Sequence, residues 1–155
     1  MESSQSPNTH TEQKTETLWP LGCQLESKAI QAKFWSTLQW QLNSFDLHPQ
    51  QGHPFPVYLE LFKDERTDYR FNLSSHQPKL FVVLEDGSAE VPAIVSITAS
   101  QSVAAQFMDG DYQVLSSDMP LPIQAWMEAF IGRHGELIEE RKNKKRKGAG
   151  RSREQ

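Results

Sequence analysis

PVYLELFKDERTDYRFNLSSHQPKLFVVL, residues 56–84, decides how the fold of this chain is read. Val57, Leu59 and Leu61 share one face of an extended segment, opposite Tyr58, Glu60 and Phe62. The polar run 63–68 reads as a turn, after which Tyr69, Phe71 and Leu73 alternate with Arg70, Asn72 and Ser74. A second turn, residues 75–78, leads to Leu80, Phe81, Val82, Val83 and Leu84, an apolar run that suits a central strand covered on both faces. Three apolar runs of this length with polar turns between them predict a small antiparallel sheet.

The flanks extend the pattern. Residues 19–26 place Trp19, Leu21, Cys23 and Leu25 on one face of a first strand, with Pro20 marking an edge or a strand start. Residues 27–31 read as a turn, and residues 34–42 as a second strand with Trp35 the one aromatic on its polar face. Residues 48–55, HPQQGHPF, form a loop by their prolines and glycine. After a turn at Asp86 and Gly87, residues 91–98 predict another strand. Ser100 or Ser102 caps a short helix that ends at Asp109 and Gly110, and residues 112–115 predict a last short strand. From Leu121, the residues Ile123, Trp126, Met127, Phe130, Ile131 and His134 fall on one helical stripe, and Pro122 suits its first turn.

The predicted fold is α+β: a single antiparallel sheet of about six strands, open or partly closed, packed by a C-terminal helix. It occupies residues 16–140. Residues 1–15 are polar and aperiodic, and read as a disordered extension. Residues 141–155 carry eight basic residues and one acid, +7, while residues 1–140 carry eight basic and nineteen acidic, −11. An acidic body thus ends in a basic, disordered tail. The N-terminal segment has no apolar h-region, and no run reaches the roughly 18 apolar residues of a membrane helix. One cysteine, Cys23, forms no internal disulfide and reads as a small buried hydrophobe. Together these features predict a cytoplasmic protein.

The search for chemistry returns bland answers. His48 and His53 sit in a Pro/Gly loop with Asp46 as the one nearby acid, short of a metal ligand set. His76 falls in a turn, and His134 on the apolar helix stripe. Glu60, Asp64, Glu65 and Asp68 cluster near one turn that also bears lysine and arginine, which reads as a solvated charged face or a docking surface. Ser74 and Ser75 lack the glycines of a nucleophile elbow. The chain has no GxGxxG, no Walker loop and no CxxC, so no enzyme activity, cofactor or metal is expected. Asn72, disfavoured within a strand, implies that its amide serves a local structural bond.

Several segments in order resemble a bacterial family, domain of unknown function 3305. They are Phe34 and Trp35 with Trp40; Glu60, Leu61 and Phe62 with Asp64 and Glu65; residues 69–75 with Pro78 and Phe81, Val82 and Val83; Met108, Asp109 and Gly110; and Met119 and Pro120 with Trp126, Phe130 and His134. The resemblance implies an accessory role beside a molybdenum-dependent formate dehydrogenase, and it supplies no catalytic residue.

Three functions compete. The first is a protein-binding accessory protein, its partner a formate dehydrogenase subunit or maturation factor. Its expected surfaces are Trp35 and Tyr58; Asp64, Glu65, Arg66 and Tyr69 on the turn; and Lys144, Lys145, Arg146 and Lys147 in the tail. The second is a small-ligand module with a pocket lined by Trp, Tyr and Asn72. The third, nucleic-acid binding through the tail, lacks aromatic residues to stack on bases.

Overall fold

The computed structural model of the chain describes residues 13–85, 91–108 and 110–136. The turn at Asp86 and Gly87, residue Asp109, most of the N-terminal extension and the basic tail with Lys144, Lys145, Arg146 and Lys147 lie outside the described residues.

Among the described residues six strands form two three-stranded antiparallel sheets, where the sequence predicts one sheet of about six. The first sheet has the order β2-β1-β3, with β1 at Leu18–Gln31, β2 at Ser36–Asp46 and β3 at Pro56–Glu60. The second has the order β5-β4-β6, with β4 at Lys79–Glu85, β5 at Ile94–Thr98 and β6 at Tyr112–Asp118. β2 runs beside β6, and β3 beside β5. At the first seam a side chain takes the place of a ladder: the Ser117 hydroxyl donates to the Asn43 carbonyl at 3.1 Å. Each sheet is built from three consecutive strands, and the division falls between β3 and β4, where residues 63–73 are helical instead of supplying a strand to join them.

β4 is central, as its apolar run predicts. It pairs on both sides, Val82 lying opposite Ile97 in β5 and Leu115 in β6. Leu80, Val82, Val83 and Leu84 are buried. The inward faces of both sheets share one core with the stripe of α3, Leu121–His134, whose Ile123, Trp126, Met127, Phe130 and Ile131 are buried. Trp126 meets Trp19 edge to face at 5.3 Å between ring centres. Its indole N–H donates to the Thr15 carbonyl at 2.8 Å, which ties the last residue of the predicted extension to the core. Cys23 faces this core, and burial pushes its thiol up to about 12, which leaves it inert at neutral pH.

Residues 69–73, predicted as a strand, are helical. A 3-10 turn at Lys63–Glu65 leads into α1, Arg66–Leu73. The apparent alternation of Tyr69, Phe71 and Leu73 misleads because Phe71 points to solvent, 66% exposed. The buried set is Arg66, Tyr69 and Asn72, a spacing of three that marks one helix face. Two of its three members are nonpolar in no sense, so a hydrophobic period does not detect them.

Each of these side chains ties α1 to another element. The Arg66 guanidinium donates to the His134 and Gly135 carbonyls, satisfying the end of α3. Gly135, at φ 87°, turns the chain out of that helix. The Tyr69 hydroxyl donates to Glu65 at 2.8 Å and accepts from the Phe62 N–H at 2.9 Å. Asn72 donates to the Lys79 carbonyl at 2.7 Å and the Ala99 carbonyl at 2.9 Å, and accepts from the Lys79 N–H at 2.9 Å. The last short helix, α2 at Gln101–Ala105, is capped by Ser100, whose oxygen accepts from the Val103 N–H.

Candidate functional site

Two features are not consumed by the fold: a protruding hairpin and a cavity beside its base. The hairpin arises because β1 continues through residues 27–31, which the sequence reading took for a turn. Gln31 pairs with Ser36 and Ile30 with Thr37, and the Ala32 N–H closes the reversal on the Trp35 carbonyl at 2.7 Å. β3 pairs with β1 only as far as Gly22, so among the described residues the distal half of the β1–β2 ribbon has no third strand.

At its tip stand Phe34, 82% exposed, and Trp35, 65% exposed. Strand alternation over residues 34–42 predicts Trp35 on the outer face and Phe34 on the inner one. Both belong to the turn, and Phe34 is the residue that strand periodicity missed. The available signal was charge: residues 27–45 hold Lys28 and Lys33 and no acid, in a chain whose net charge is −4. Lys33 Nζ lies 5.6 Å from the Phe34 ring centre. The tip is therefore apolar with a positive rim.

The turn expected as a docking surface is largely internal. Arg66 and Tyr69 are buried, and their polar atoms are committed to the bonds given above. Glu65 is half-buried on Tyr69, and burial raises its carboxyl above the usual range. Asp64 alone of the four is exposed. Asp68 accepts from the buried Ser100 hydroxyl at 2.6 Å, so Glu65 and Asp68 serve separate structural bonds. Tyr58 is 45% exposed on β3, beside the cavity rather than the hairpin tip.

The cavity holds about 640 Å³ between the β1–β3 surface and residues 47–53. Trp19, Leu21 and Val57 form its sheet side, Leu47 and Pro49 its loop side, and Tyr58 and Lys14 also line it. Asn72 does not, being used in the core, so the expected combination of Trp, Tyr and Asn72 is not brought together.

An Asp–His pair braces the loop. The Phe55 N–H donates to His53 Nδ1 at 3.0 Å, which leaves the ring proton on Nε2 to be donated to Asp46 Oδ2 at 2.7 Å. Gln24 also donates to that oxygen, at 2.6 Å. These two bonds hold the Asp46 carboxyl below its ordinary range. Neither imidazole nitrogen is left to take a proton from a substrate, so the pair is a structural clamp. His48 and His76 are exposed, and the His134 ring lies 4.7 Å from that of Phe130. Among the described residues, no group of three or more His, Cys, Asp or Glu side chains is placed to hold a metal ion. No helix among them is long and apolar enough to cross a membrane.

No curated protein and no solved structure matches this chain. A family-level sequence match does, over residues 25–147, which take in the distal hairpin, the loop, α1 and α3. It spans well over half of the chain, and the chain therefore belongs to the family described as protein of unknown function DUF3305.

Proposed function

We propose that this chain is a non-enzymatic, cytoplasmic accessory protein that docks a protein partner through the tip of its β1–β2 hairpin. The observation that carries the reading is the exposure of Phe34 and Trp35 at the tip of a ribbon whose last residues lie beyond the core. Burying the two rings in a partner is worth roughly 3–6 kcal/mol before the losses of association are deducted. Aromatic anchors ringed by polar residues are the usual make-up of an interface hot spot. Lys28 and Lys33 match a groove with an apolar floor and acidic edges.

The resemblance described above directs the choice of partner to a molybdenum-dependent formate dehydrogenase subunit or a maturation factor of that enzyme. The test is affinity purification of the tagged protein from its native host, grown under conditions that induce the dehydrogenase, followed by mass spectrometry. Enrichment of dehydrogenase or maturation proteins over a tag-only control is the expected result. Their absence in the presence of another reproducible partner would keep the docking role and remove the dehydrogenase.

The cavity favours a second reading, a small-ligand module. Its volume falls in the range of about 300–1,000 Å³ usual for ligand sites.

A further inference from the structure

The cavity has a preformed wall and a one-signed polar lining, and together these specify a ligand class. Residues 47–53 are fixed from several directions. The Trp19 indole N–H donates to the Leu47 carbonyl at 3.0 Å, and the His53 N–H donates to the Gln50 carbonyl at 3.0 Å. The His53 ring is clamped at both nitrogens, and the Cys23 N–H donates to the Phe55 carbonyl at 2.8 Å. A wall tied in this way keeps its shape without a ligand, which lowers the ordering cost of binding.

The lining is apolar on the sheet side and, among the described residues, contains no aspartate or glutamate. That is unusual in a chain with more acidic than basic residues. The Asp46 carboxylate is drawn toward Gln24 and His53. Lys14 is exposed and lines the cavity, its ammonium 4.2 Å from the Trp19 ring centre. Gln50 and Gln51 add amide donors.

We propose that this cavity binds a small anionic amphiphile: an apolar, largely planar body with one carboxylate, sulfonate or phosphate, which pairs with Lys14. The proposal rests on the small-ligand reading and gives that reading its chemical class. A cation is disfavoured by Lys14, and a wholly neutral body leaves the ammonium and the amides unused.

The test is fluorescence titration of the full chain with two probes, anilinonaphthalene sulfonate and its uncharged relative N-phenylnaphthylamine. Two charge-reversal variants are compared, Lys14→Glu at the cavity and Lys28→Glu on the hairpin. Both residues are exposed, and circular dichroism checks that both variants fold. The expected result is saturable binding of one sulfonate probe per chain. Lys14→Glu weakens it by roughly tenfold, the worth of one charge-assisted pair, while Lys28→Glu leaves it unchanged. Binding of the uncharged probe is insensitive to both. Equal weakening by the two variants would overturn the proposal by showing a response to net charge alone. Saturable binding of the sulfonate probe that Lys14→Glu leaves unchanged would overturn the anionic class and leave the small-ligand reading standing. Failure of both probes to saturate would overturn both.

Discussion

Asn72→Ala lowers the stability of the folded chain by about 3–4 kcal/mol, read as a shift in the urea unfolding midpoint with unchanged slope. The size follows from what the amide holds. Asn72 is 7% exposed and makes three hydrogen bonds, all to backbone groups. Two close on Lys79, where β4 begins, and one on Ala99, just beyond β5. Alanine strands a backbone N–H and two carbonyls in a site where water has little access, and each such loss typically costs 1–3 kcal/mol. Asn72→Asp separates this account from simple loss of volume. It keeps the shape but turns a carboxylate toward the Lys79 and Ala99 carbonyls, which raises the folded-state pKa of the introduced acid. A raised pKa gives stability that is present below the unfolded value of about 3.9 and lost as pH rises through the folded one. The aspartate variant therefore gains stability on acidification relative to the alanine variant. Parallel pH profiles for the two would contradict the hydrogen-bonding role.

Gly22→Ala is expected to cost about 3 kcal/mol for a different reason. A Cβ on Gly22 would lie 2.5 Å from His53 Nε2 and 2.7 Å from Cδ2 and Cε1. The obstacle is a ring that cannot swing away freely, because Asp46 and the Phe55 N–H hold both its nitrogens. Either β1 moves, with overpacking costs of about 1–3 kcal/mol, or the ring leaves and its two bonds are lost. A double-mutant cycle with His53→Ala resolves the cause. If the strain lies at the ring, His53→Ala costs less in the Gly22→Ala background than in the wild type. Additive effects would place the strain elsewhere.

These two residues also show where the sequence stops being legible. The β4 run and the α3 stripe are readable because burial and periodicity coincide in them. Asn72 reads correctly as a structural amide, yet it sits on a helix instead of a strand. The inner face of α1 is Arg66, Tyr69 and Asn72, so hydrophobicity points to Phe71 and Leu73. What places those polar groups inside is a set of partners distant in sequence: the end of α3, the start of β4 and the residue after β5. The split into two sheets is hidden with the helix: with residues 69–73 read as a strand, nothing in the sequence separates the first three strands from the last three.

The candidate sites were legible in part. Trp35 reads from sequence as an exposed aromatic, but Phe34 does not. The alternation of Leu38, Trp40 and Leu42 in β2 extends by pattern through Ser36 to Phe34, so periodicity counts Phe34 as an inward strand residue although the strand starts at Ser36 and Phe34 lies in the turn. The turn bearing Arg66 and Tyr69 looked like a charged surface because a buried, fully bonded arginine and an exposed one are identical in sequence. The cavity depends on the path of residues 47–53, and that path is set by a histidine clamp between Asp46 and the backbone.

The claim that the hairpin tip is the docking surface is tested most directly by comparing wild type with the double variant Phe34→Ser, Trp35→Ser in the same affinity purification. Both side chains are largely in solvent, so the variant is expected to unfold at the same urea concentration as the wild type. It is expected to lose the partners that the wild type enriches, by tenfold or more at equal bait. Retention of those partners at wild-type levels by a variant of unchanged stability would contradict the account.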